Sequence, residues 1–75
     1  MDTKTINRNF SYHAPKEGQP ARYELIRSTA KGLAVTILGE CPESREKALA
    51  FTKLEECVMW ANAAIARNED EGGDN

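Results

Sequence analysis

The chain has 75 residues, a formal net charge of −2, 40% apolar residues and 29% charged residues. That length bounds it to one small domain, and no run is apolar and long enough to span a bilayer. The opening MDTKTINRNF lacks a signal-peptide core, and two cysteines, Cys41 and Cys57, are too few for a disulfide scaffold. A cytoplasmic chain with two reduced thiols is therefore expected.

The first eighteen residues read as irregular chain or one short helix near TINRNFSY, followed by a loop punctuated by Pro15, Gly18 and Pro20. Pro20 suits the first turn of a helix, where its missing N–H is not needed. Ile26, Ala30, Leu33 and Ile37 then recur at helical spacing, widened by Leu25 and Ala34, and Gly39 offers a stop. GECPES permits only a tight reversal, and Ser44 is a natural N-cap. Beyond it Phe51, Leu54, Val58, Ala61 and Ile65 follow three–four spacing, with Ala50, Cys57 and Ala64 alongside.

The fold expected is all-α. Residues 1–68 form one antiparallel helical hairpin with a short N-terminal segment or helix, its main helices spanning about 20–38 and 44–68. Residues 69–75 form a disordered acidic tail. Trp60 lies about 120° around the second helix from Leu54. Leu49 shares its flank and Met59 adds apolar surface farther round. One partner helix covers one stripe, and two helices supply too little core at this size. The second apolar face therefore points to assembly into an oligomer, with packing under the N-terminal segment as the alternative.

Charge is unevenly spread. Residues 1–31 hold Lys4, Arg8, Lys16, Arg22, Arg27 and Lys31 against Asp2, Glu17 and Glu24, while the tail holds Glu69, Asp70, Glu71 and Asp74. An acidic total disfavours long nucleic acid, which needs a dominant basic field. A small anion in a local basic pocket fits better. Arg27 and Lys31 stand four apart on one helical face, able to clamp a phosphate through a fork and a point charge. Phe10, Tyr12 and His13 are able to stack on a nucleobase. The plain alternative is a solvated basic edge paired with Glu24. No phosphate loop, metal motif, cofactor signature or supported catalytic set is visible, so an enzyme is not expected.

SREKALAFTKLEECVMWANAAIARNE, preceded by CP and by RYELIRSTAKGLA, resembles the phage anti-CBASS cyclic-oligonucleotide sponges. Sponges against the Thoeris defence share that hairpin domain. The resemblance covers roughly Phe10 to Glu69. It implies sequestration, without cleavage, of cyclic nucleotide signals in the infected bacterial cell. It also implies hexamers that bind cyclic dinucleotides, such as cyclic GMP-AMP, between paired subunits. In members that take cyclic trinucleotides, these bind where three subunits meet. Tyr12 and Arg27 match the dinucleotide site best, with Lys31 and His13 as further candidates, and Arg67 matches the trinucleotide site. A ligandless oligomeric helical module is the competing reading, because it would carry the same apolar stripes.

Overall fold

Each helix in the chain is fixed at its ends by a nameable contact. The computed structural model describes residues 2–69 and contains α1 (Thr3–Phe10), α2 (Gln19–Glu40) and α3 (Arg45–Asn68). Beyond Glu69, the expected acidic tail lies outside the described residues. Asp2 caps α1, its carboxylate accepting the Thr5 N–H at 2.8 Å. At the other end of α1, the His13 ring donates from Nε2 to the Arg8 carbonyl at 2.6 Å. That bond satisfies one of the carbonyls a helix C-terminus leaves open.

Gly18 turns the chain into α2 with φ +86°, a left-handed conformation that side chains resist. Gln19 follows, buried, its side-chain oxygen accepting the Lys16 N–H at 2.9 Å. Pro20 occupies the first turn as expected. The far end of α2 differs from expectation. Gly39 does not stop the helix, which runs through it to Glu40. The stop is set by Pro42, whose ring disfavours a helical residue before it. Cys41 is accordingly extended, with φ −106° and ψ 135°, and its N–H closes on the Ile37 carbonyl at 3.0 Å.

The reversal is held by Ser44 and Lys47. Ser44 Oγ accepts the Lys47 N–H at 3.1 Å and caps α3. Lys47 is 8% exposed. Its Nζ donates to the Leu38 carbonyl at 3.0 Å, a group the end of α2 leaves without a helical donor, and pairs with Glu43 at 2.7 Å. This lysine thus ties the last turn of one helix to the first turn of the next.

Between these ends, α2 packs on α3. The face α2 turns inward carries Tyr23, Ile26, Ala30, Ala34 and Ile37. Leu25 and Leu33, counted with that stripe on spacing alone, are exposed instead, and Ala34 takes the inward place. The small alanines let the backbones approach, which a leucine at the same height would prevent. On α3 the seam holds Phe51, Leu54, Val58, Ala61 and Ile65, while Cys57 and Ala64 are exposed rather than alongside it. Among the described residues Ile65, 9% exposed, is the one apolar side chain that is buried.

The result is thin. The radius of gyration is 15.8 Å, against about 11 Å for a compact chain of this length. The smallest principal extent of the Cα trace is 16 Å. Leu49, Met59 and Trp60 lie exposed on the outer flank of α3, Trp60 at 58%. No described helix is long and apolar enough to cross a membrane.

Lys47→Met keeps the aliphatic stem and removes the donor. It should lower stability to urea by about 1–3 kcal/mol, the range for a hydrogen bond from a charged group. The comparison requires fixed protein concentration, with helix content unchanged in water. An unaltered unfolding midpoint would remove Lys47 from the account of the turn.

Candidate functional site

Two grooves share the described surface without sharing a residue. The first, about 290 Å³, runs between α2 and α3. Arg27, Ala30, Lys31 and Ala34 line it from α2, and Leu54, Glu55 and Val58 from α3. The alanines and the aliphatic side chains give it an apolar floor. Arg27 and Lys31 stand one helical turn apart on the same wall.

The two cations are held differently. Arg27 Nη2 donates to Glu24 at 2.9 Å, in an ion pair whose partners are both more than half exposed. Water and salt screen such a pair, so it is readily exchanged for a better anion. Lys31 has no ion pair or hydrogen bond to its side chain among the described residues. Glu55, opposite, is likewise without a partner there.

The second groove, about 250 Å³, lies between α1 and the end of α3. Arg8 and Asn9 come from α1, and Trp60, Ala63, Ala64, Arg67 and Asn68 from α3. Arg8 Nη1 donates to Asn68 Oδ1 at 3.3 Å, and Asn68 Nδ2 donates to the Ala64 carbonyl at 3.1 Å. Arg67 is half-buried, with no side-chain partner among the described residues. Trp60 lines this groove across from α1 and remains exposed.

Beside that groove the chain closes on itself. Arg22 donates from both Nη1 and Nη2 to the two Glu69 oxygens, at 2.8 and 2.7 Å, and Gln19 Nε2 donates to Glu69 Oε1 at 3.2 Å. The Arg22 guanidinium first, and then the Gln19 amide, hold the Glu69 carboxyl below its ordinary range. The same hydrogen bonds raise Arg22. Glu69, counted with the acidic tail on composition, is here the anchor that ties the end of α3 to the start of α2.

Of the residues singled out in the sequence, Arg27 and Lys31 are brought together, and Arg67 is placed in a separate groove. Tyr12 is 86% exposed and lines neither groove. His13 also lines neither, its ring engaged by the Arg8 carbonyl. Glu55, Arg8, Asn9 and Asn68 were not singled out as groove residues. The available signal was hairpin register: equal steps outward from the turn set Arg27 opposite Val58 and Lys31 opposite Leu54. Among the described residues no three His, Cys, Asp or Glu side chains gather as a metal site.

Comparison with known proteins adds one result. The family model described as Acb2/Tad1, hairpin domain, matches residues 1–66, which include all three helices up to the last turn of α3. No curated protein and no solved structure matches the chain.

The Glu69 closure carries a pH dependence. A carboxyl held below its unfolded value contributes stability above that value, and the contribution is lost as pH falls through the folded value. Thermal melts of the parent should therefore drop more steeply from about pH 5 to pH 3 than those of Glu69→Gln. At neutral pH the variant should be the less stable. Parallel acid slopes for the two proteins would show that the pair contributes nothing.

Proposed function

The chain belongs to the Acb2/Tad1 hairpin family of anti-CBASS and anti-Thoeris sponges, and we propose that it sequesters cyclic di- and trinucleotide immune signals without cleaving them. The observation that carries this reading is the first groove. It sets Lys31, without an ion pair among the described residues, and a weakly paired Arg27 over an apolar floor. Such a surface fits a ligand with both a phosphate and a flat base. Arg matches phosphate oxygens with its fork, and Lys adds a point charge. Sequestration also asks for no acid, base or metal at the ligand, so binding alone suffices. The place of action in this reading is the cytoplasm of a phage-infected bacterial cell.

In this reading the binding unit is larger than one chain, and a hexamer is the assembly proposed. Copies would cover the exposed flank of Leu49, Met59 and Trp60. They would also allow the exposed Tyr12 of one copy to stack on a base held in the groove of another. A cyclic dinucleotide has approximate two-fold symmetry, which an isologous pair of subunits repeats. A three-fold arrangement suits a cyclic trinucleotide in the same way, with Arg67 as the proposed phosphate contact.

The two grooves make the test selective. Arg27→Ala and Tyr12→Ala should each weaken cyclic-dinucleotide binding by about tenfold or more. Arg67→Ala should weaken cyclic-trinucleotide binding and spare the dinucleotide. Calorimetric titration of each variant with both ligand classes reads this directly. Equal loss of both ligands in one variant would indicate a single shared pocket. Failure of the parent to bind either class would overturn the proposed function. A second expectation concerns turnover: ligand released by heat after long incubation should be chromatographically intact, and linear product would contradict sequestration.

A further inference from the structure

The first groove holds a carboxylate that binding a phosphate does not use. Glu55 lines it from α3, facing the wall that carries Arg27 and Lys31. It has no cation or hydrogen-bond donor as a partner among the described residues. Neighbouring acids are accounted for otherwise: Glu56 pairs with Lys53 at 3.4 Å, and Glu24 with Arg27 at 2.9 Å. An ionised carboxylate only accepts hydrogen bonds, and it repels a phosphate. The groove therefore has one wall, on α2, that attracts anions and a facing carboxylate, on α3, that requires donors.

We infer that Glu55 reads the base of the bound nucleotide and selects guanine. The inference rests on the cyclic-nucleotide reading above. Guanine presents two adjacent donors, N1–H and the N2 amino group, on one edge, and these match the two oxygens of a carboxylate. Adenine offers the N6 amino group beside an N1 lone pair, which a carboxylate repels. Uracil offers N3–H between two carbonyl oxygens, with the same difficulty on both sides. A polar group that must be paired discriminates more sharply than an apolar contact, because the wrong ligand leaves it unpaired. A bidentate pair of this kind separates bases by about tenfold or more.

The test is calorimetric titration of the full chain and of Glu55→Gln with cyclic di-GMP and cyclic di-AMP. Glu55 is exposed, so the substitution leaves no hole in the seam. The parent should bind cyclic di-GMP at least about tenfold more tightly than cyclic di-AMP. In Glu55→Gln that ratio should fall to within about threefold, and cyclic di-AMP, relieved of a nearby negative charge, should bind more tightly. Equal binding of the two ligands by the parent would overturn the guanine assignment while leaving the sponge reading standing. So would a preference that survives in Glu55→Gln. A change in sedimentation of the unliganded variant would reassign Glu55 to contacts between copies. If the parent binds neither ligand, the guanine assignment falls, while the sponge reading is decided by the separate titrations with cyclic GMP-AMP and cyclic trinucleotides.

Discussion

Two helices laid side by side bury one stripe each, and this chain has little else to bury. Ile65 alone among the described apolar side chains is buried. The remaining order is therefore held at the ends of the hairpin. Lys47 ties the closed end by donating to the Leu38 carbonyl and pairing with Glu43. Arg22 and Gln19 tie the open end through Glu69. A larger domain would fix such ends by packing against a third layer. Here α1 meets the end of α3 through the hydrogen bond between Arg8 and Asn68.

The same shortage of interior explains where the candidate chemistry lies. Cations that hold the fold have committed partners: Arg22 has Glu69, and Lys47 has Leu38 and Glu43. Lys31 and Arg67 have none among the described residues, and each lies in a groove beside apolar surface. Cations that no described residue engages directly are poised for an anion brought from outside. Both grooves are open to solvent. Copies packed on the Trp60 flank would deepen them without any change in the hairpin.

Much of the hairpin was legible in the sequence, and its failures have physical causes. The long α3, its Ser44 cap and the outward Trp60 followed from spacing and capping chemistry. The stripe of α2 read from periodicity was too wide: Leu25 and Leu33 are exposed, while Ala34, counted with it too, faces inward, because close packing favours the small side chain. Gly39 looked like the end of α2, yet the restriction Pro42 imposes on Cys41 decided it. The pairing of Arg27 with Lys31 was readable from a four-residue interval. Glu55 was not, because a groove between helices exists only once their register is known. Glu69 was lost to a compositional reading that sees an acidic tail and not a fork two oxygens wide. The resemblance to the sponge family spanned roughly Phe10 to Glu69, with its best-matched block in α3, and the family match over residues 1–66 adds α1.

In the proposed assembly the hairpin is half of its own interior, and copies of the chain would complete it. Sedimentation across a dilution series, with helix content followed in the same samples, tests this most directly. Hexamer assembly predicts a particle of about six times the 8.3 kDa chain mass at micromolar concentration. It also predicts loss of helix content in step with dissociation. A fully helical particle of 8.3 kDa that persists at every concentration would contradict it.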